Sequence, residues 1–236
     1  MNILISAGPM RSKIDPIRYI QNSSSGRLGL EFAKELNELV PQAEFEFILG
    51  PVDSIVHLQF EELGSVTTYN DSAEYKSILL EKFPNTDLFI SAAAVLDYEI
   101  EYSSQKESRS DLSAKGHLNL KIKPVEDFVA LVGQNKRPHQ KVLAFSLDTR
   151  DAMSAIPRAI DKMKSKNADW IYLNYANQDS GPEKSTSSGL LLSRDETVLC
   201  RFSKDTKVNV AKTISQQLIS PRELQKTEEK PNDQNT

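Results

Sequence analysis

Several short stretches of this chain carry residue types suited to holding a phosphate ester. Asn22-Ser23-Ser24-Ser25-Gly26-Arg27-Leu28-Gly29 places serines and a glycine where the following pattern starts a helix. Small residues there leave backbone N–H groups unpaired beside the positive end of the helix dipole, which makes a seat for an anion. Read plainly, the same residues are a well-capped helix start. The spacing is not Gly-x-Gly-x-x-Gly, and no acidic residue closes a second strand in the way a dinucleotide ribose contact needs. A turn at Ala7-Gly8-Pro9 precedes this stretch. Further on, Ser91-Ala92-Ala93-Ala94-Val95-Leu96-Asp97-Tyr98 ends an apolar run. Three alanines let a flat ligand lie against the backbone, and Asp97 offers a carboxylate to ribose hydroxyls or a metal-bound water; the plainer reading is small-residue packing with a helix-capping aspartate. Lys162 and Lys166, four apart, share a helix face where two ammonium groups could hold a triphosphate. Lysines at a helix C-terminus also meet its dipole favourably. Phe145 ends a strand either as core or as a platform for a base. Tyr102 and Lys106 match a Tyr-x-x-x-Lys dehydrogenase pattern, but in an unpatterned loop, which marks the match as chance.

The elements that must position these residues alternate. Apolar runs at 2–6, 44–49, 87–93, 141–145 and 169–174 read as buried strands, and helical patterns at 27–39, 72–83, 125–132 and 151–166 lie among them. In the first helix Leu28, Phe32, Leu36 and Leu39 form one stripe. Strands alternating with helices predict βαβ units and an α/β fold: a mostly parallel sheet with helices on both faces. Ligands in such sheets bind beyond the carboxyl ends of the strands, where the stretches above fall. Residues 98–117 are polar and without periodicity, which fits a lid or flap. Residues 177–188 are rich in Ser, Gly, Pro and Lys; a hairpin at 189–193 and 197–202 follows. The closing helix is expected at 205–219, with Val208, Ala211, Ile214 and Leu218 inward. A single ligand-binding domain is expected over 1–220, and 221–236 reads as a disordered polar tail.

Composition narrows the classes. The chain has 236 residues, 39% apolar and 26% charged, with a net charge of −4. That acidic balance argues against a nucleic-acid footprint, and no apolar run reaches the roughly 20 residues of a membrane span. Met-Asn-Ile-Leu-Ile-Ser reads as a strand rather than a secretory signal, so the cytoplasm is the expected compartment. One cysteine, Cys200, excludes an internal disulfide, and three scattered histidines argue against a metal cluster.

Ser6-Ala-Gly-Pro, Ile14-Asp-Pro-Ile-Arg-Tyr-Ile, Asn22-Ser-Ser-Ser-Gly-Arg-Leu-Gly, Gly50-Pro-Val, Ala92-Ala-Ala-Val-Leu-Asp-Tyr, Ala144-Phe-Ser-Leu-Asp-Thr and Lys166-Asn-Ala-Asp-Trp-Ile-Tyr-Leu-Asn occur in one order. That order and spacing resemble phosphopantothenoylcysteine synthetase, the ligase half of the bifunctional bacterial coenzyme A biosynthesis flavoprotein. The resemblance runs from Met1 to about Leu218. It implies a three-layer Rossmann-like fold with a flap and an added hairpin, acting as a stand-alone ligase without flavin. It also implies joining 4′-phosphopantothenate to cysteine, with CTP (or ATP) and Mg2+, through an acyl-cytidylate. By the resemblance, Asn22 handles that intermediate. Gly8, Ser24, Ser25, Gly26, Ala92, Ala93, Asp97, Asp127, Phe145, Lys162 and Lys166 line the nucleotide site. A homodimer and a separate phosphopantothenoylcysteine decarboxylase are the implied partners. The flap departs from the family: counting back from Leu118, its functional lysine falls on Ser110 or Asp111, and Lys106 and Lys115 are the nearest substitutes. The family's Lys-Asn-Pro-Asp reads Pro124-Val125-Glu126-Asp127, keeping only the aspartate. The departure sets a catalytically weak or silent nucleotide-binding relative beside the active ligase as the alternative.

Overall fold

The computed structural model describes residues 1–106, 108–110, 116–117, 119–176 and 181–219. Lys115 and the expected tail at 221–236 lie outside the described residues. In chain order the strands are β1 (Asn2–Ala7), β2 (Arg11–Lys13), β3 (Tyr19–Gln21), β4 (Glu44–Leu49), β5 (Ser65–Thr68), β6 (Leu88–Ser91), β7 (Tyr98–Ile100), β8 (Ile122–Pro124), β9 (Lys141–Asp148), β10 (Trp170–Tyr175), β11 (Thr186–Ser193) and β12 (Val198–Thr206). The helices are α1 (Arg27–Leu39), α2 (Ser54–Glu61), α3 (Ser72–Lys82), α4 (Phe128–Gln134), α5 (Ala152–Ser165) and α6 (Lys207–Leu218).

Eight strands form one sheet in the order β12-β11-β10-β9-β6-β1-β4-β5. The six from β10 to β5 are parallel, and β11 and β12 extend the sheet antiparallel. This is the expected α/β fold, a Rossmann-like, mostly parallel sheet. The chain winds outward from β1 in one direction and, after crossing back, from β6 in the other. The gap between their carboxyl ends is therefore the topological switch point, where a doubly wound sheet opens a crevice for ligands.

β1 is buried at five of its six positions because both faces of the sheet are covered. Ile3, Ile5 and Ala7 pack towards α1, α2 and α6 through Phe32, Leu36, Phe60, Val210 and Ile214. Leu4 packs on the other face with α3, α4 and α5 through Tyr75, Leu79, Val132, Ala159 and Met163. On that second face the Tyr75 hydroxyl reaches Ser6 Oγ at 3.0 Å; burial pushes the phenol up to about 12, which keeps it neutral.

Two helix faces differ from the sequence expectation. In α1 the buried set is Gly29, Leu30, Phe32, Ala33 and Leu36, so the stripe leans away from Leu28 and Leu39. In α6 the inward set is Lys207, Val210, Ala211, Ile214, Ser215 and Leu218, while Val208 is exposed. Periodicity allows either register over a helix this short, and packing against α1 selects the one that turns Lys207 in. α2 and β5 are too short to announce themselves: α2 buries Val56 and Phe60 but leaves Ile55 and Leu58 exposed, and no residue of β5 is fully buried. The stretch expected to be an unpatterned flap begins as a strand: β7 pairs antiparallel with β8 from Tyr98 to Pro124. β2 and β3 form a second small ribbon ahead of α1.

Gly29 sets how closely α1 lies on the central strand, since a Cβ there would stand 2.6 Å from Ala7 Cβ. Gly29→Ala is expected to lower unfolding stability by about 1–3 kcal/mol through overpacking, read as a shift in urea midpoint with unchanged slope.

Candidate functional site

Beside the switch point three chain segments meet at the tips of β1 and β4 and the start of α1. Gly8 follows β1 with φ 83°, and Gly26 caps α1 with φ 73°. A Cβ on either would come within 3 Å of Val52 Cγ1, at 2.9 and 2.8 Å. Val52 belongs to the turn after β4, so the turn from β1, the start of α1 and the turn from β4 are pressed together. Gly29 completes the set one helical turn on. Gly8, Gly26 and Gly29 thus form a tight turn, a close approach between segments and a helix–strand contact, an arrangement that resembles in space the glycines of a dinucleotide turn. The difference is an insertion of residues 9–25, carrying β2 and β3, between the first glycine and the second. Linear spacing hid this arrangement, because the motif is contiguous in space only.

Asn22 stands at the end of that insertion. Its Nδ2 donates to the carbonyl oxygens of Ala94 (3.2 Å) and Val95 (2.9 Å). The amide therefore spends both its N–H groups on the protein, leaving Oδ1 as its outward-acting atom. The same post-β6 loop is bound to the post-β1 turn by Ala94 N–H to Gly8 O (2.9 Å) and Met10 N–H to Ala94 O (3.1 Å). Ser24 Oγ accepts from Gly26 N–H at 3.5 Å. No side chain caps α1, so its opening N–H groups stay available.

The remaining expected residues divide between the two faces at this edge. Ala92 packs on the α1 side and Ala93 on the α3–α5 side. Asp97 is exposed at the mouth, its backbone oxygen accepting from Val125 N–H at 3.0 Å. Two residues beyond Val125, Asp127 caps α4 through Ala130 N–H and pairs with Lys166 Nζ at 2.6 Å. Lys162 Nζ donates to Ser146 Oγ at 3.1 Å. Asp97, Asp127, Lys162 and Lys166 thus follow one another along the α4–α5 side. Phe145 lies across the sheet from them, edge-on to Phe32 (6.0 Å) and Tyr172 (5.8 Å) and half-buried, so it serves the core and still borders the edge. Lys106 is exposed on the flap.

One residue at this edge went unread in the sequence. Lys207, 6% exposed, donates from Nζ to Pro182 O at 2.7 Å. Ser25 Oγ donates to the same oxygen at 3.5 Å, which sets Lys207 beside the start of α1. Burial, reinforced by the positive charge of Arg27, lowers the ammonium to about 8.

A cavity of about 670 Å³ lies elsewhere, beneath the β7–β8 ribbon and against β2 and the start of α3. Arg11, Lys13, Asp71, Glu99, Lys121 and Lys123 line it, and none of the expected site residues does. Its charges are largely paired with one another, as in Lys123–Glu99 at 2.7 Å. Cavity volume does not single out the candidate site; the switch point is marked by backbone geometry instead. Among the described residues no group of three His, Cys, Asp or Glu could hold a metal ion. Nor is any helix there long and apolar enough to cross a membrane.

Residues 1–221 match the family model described as DNA/pantothenate metabolism flavoprotein C-terminal domain. A relative named cysteine/cysteine sulfinic acid decarboxylase, from an unknown prokaryotic organism, is 30% identical over 92% of this chain and 58% of its own length. The coenzyme A biosynthesis bifunctional protein CoaBC of Haemophilus influenzae is 28% identical over 93% of this chain and 51% of its own length. The chain thus spans a little over half the length of these two relatives. The crystal structure of the C-terminal domain of a coenzyme A biosynthesis bifunctional protein CoaBC superposes with a TM-score of 0.69. It covers 92% of this chain and 94% of that one at 25% identity.

The Asn22 bonds to Ala94 and Val95 tie the insertion to β6. Asn22→Asp keeps the shape, removes both donors and sets a carboxylate against two carbonyl oxygens. A loss of about 1–3 kcal/mol in denaturant unfolding is expected.

Proposed function

This chain belongs to the DNA/pantothenate metabolism flavoprotein C-terminal domain family, and from that premise we propose that it is a phosphopantothenate–cysteine ligase of coenzyme A biosynthesis. The observation that carries the reading is the split glycine turn, with Asn22 fastened across it, at the switch point of a sheet that superposes on the CoaBC C-terminal domain.

A carboxylate is a poor acyl donor until one oxygen becomes part of a phosphate leaving group. In the proposed reaction the carboxylate of 4′-phosphopantothenate attacks the α-phosphorus of CTP. A carboxylate–phosphorus bond forms, the bond to the bridging oxygen breaks, and pyrophosphate leaves. The amine of cysteine then attacks the acyl carbon, loses a proton and displaces CMP, leaving the amide. Catalysis here is mainly positioning and charge neutralisation.

In this reading Gly8, Ser24, Ser25 and Gly26 offer backbone N–H and hydroxyl donors to the phosphates, and Ala92 and Ala93 leave room for a flat group. Phe145 borders the base. Lys162 and Lys166 present cations on the α5 side, with Asp127 orienting Lys166. Asn22 holds the tip of β6 in register and keeps Oδ1 free for the reacting groups. To donate to an acyl oxygen it must release one of its two carbonyl partners. Mg2+ would be held chiefly through phosphate oxygens, with Asp97 the exposed carboxylate suited to assist; its contribution is to neutralise phosphate charge. Lys106, or Lys115 outside the described residues, is the flap cation in this reading.

Self-association through the projecting ribbons is part of the same proposal. Ile17, Tyr19, Tyr98, Tyr102 and Ile122 are each 40–66% exposed on the β2–β3 and β7–β8 arms, an apolar grouping of the kind that marks interaction surfaces.

Three measurements test the proposal. Pyrophosphate release from CTP should require phosphopantothenate, and amide formation should further require cysteine; CTP binding without turnover would favour the silent relative, and no release with any nucleoside triphosphate would overturn the ligase. Asn22→Ala should cut turnover about 100-fold or more, in the range of a lost oriented polar group, with CTP affinity little changed. In sedimentation, the wild type should run as a dimer and Ile122→Asp as a monomer.

A further inference from the structure

α1 and α6 lie side by side on one face of the sheet, and both begin at its carboxyl edge. Lys207 is the first residue of α6 and Arg27 the first of α1. A protein interior ordinarily pairs a buried charge with an opposite one. Here the Lys207 ammonium has the Pro182 carbonyl as its hydrogen-bond partner and feels the positive charge of Arg27, and among the described residues no carboxylate forms an ion pair with either. Ser25 Oγ shares the Pro182 oxygen, so the ammonium sits one residue from the left-handed Gly26 that opens α1 without a side-chain cap. Two cations, a hydroxyl and the uncapped N–H groups of α1 are therefore gathered at this helix start, with neither cation held in an ion pair among the described residues.

An uncompensated cation pair at the start of a helix is a built deficit of negative charge. Donors arranged around more than one axis suit a tetrahedral phosphate better than a planar carboxylate. Resting on the ligase reading, we infer that Lys207 and Arg27 are the residues that neutralise the phosphate chain of the nucleoside triphosphate, and afterwards of the pyrophosphate, at the start of α1. Lys207 reaches the site from α6, on the opposite face of the sheet from Lys162 and Lys166. The lowered ammonium agrees with this: an anion beside it restores the charge that burial and Arg27 disfavour.

Calorimetry with pyrophosphate, CTP and cytidine on the whole chain tests the assignment. Lys207→Met keeps the buried stem and removes the charge, and Arg27→Gln alters an exposed residue. Lys207→Met should weaken pyrophosphate and CTP at least tenfold and Arg27→Gln three- to tenfold, with the affinity for cytidine unchanged in both. Pyrophosphate and CTP affinities within twofold of wild type in folded variants would overturn the assignment and leave the ligase reading standing. Wild-type protein that binds pyrophosphate through these two residues but neither CTP nor ATP would do the reverse. Should Lys207→Met fail to fold, Arg27→Gln decides alone.

Discussion

The contact on which this molecule depends is the near-collision of three turns at the tips of β1 and β4 and the start of α1. Val52 occupies the space that a side chain at residue 8 or residue 26 would need, and Ala7 the space of one at residue 29. Only glycine meets these demands, and at residues 8 and 26 the backbone is also left-handed, which L side chains rarely adopt. Backbone rather than side chain consequently lines the crevice, and N–H groups face it at close range. A protein that must seat polyanions gains from this, because backbone donors are held rigidly by the sheet behind them.

Residues 9–25 elaborate the same constraint. An ordinary dinucleotide turn passes from strand to helix in a few residues; here the chain leaves β1, makes a ribbon and returns through Asn22. The return is secured by Nδ2 bonds to the loop after β6, so the insertion bridges both sides of the switch point. Asp15 and Arg18 brace its far end through a 2.5 Å ion pair, with Asp15 almost wholly buried. The carboxyl of Asp15 stays below its usual range despite burial, since Arg18 and two backbone N–H groups bind its charged form.

Much of this was legible in the chain. Strands buried on both faces, such as residues 2–6 and 141–145, declare themselves by unbroken apolar runs, and the alternation with helices settles the α/β architecture. The anion-suited start of α1 and the small residues after β6 were visible as residue types. What escaped has physical causes. The glycine turn is split by 17 residues, so no linear pattern contains it. α2 and β5 bury two or fewer side chains each. β7 and β8 pair across a long polar stretch, and three-residue strands carry no periodicity. Lys207 was passed over because a lysine is expected to be solvated and Val208 offered a more conventional inward residue. Phe145 and the Lys162–Lys166 pair were read as neighbours in purpose, and the sheet separates them onto opposite faces.

The two borders of the sheet bear on how copies of this chain can meet. β5 is four residues long, and β12 is disturbed by register shifts against β11 and by Lys204 at φ 97°. Neither presents the long straight rim that a neighbour's backbone would need in order to add another rung. Growth of the sheet from molecule to molecule is thereby discouraged at both ends, which leaves meetings between copies to surfaces other than the strand rims.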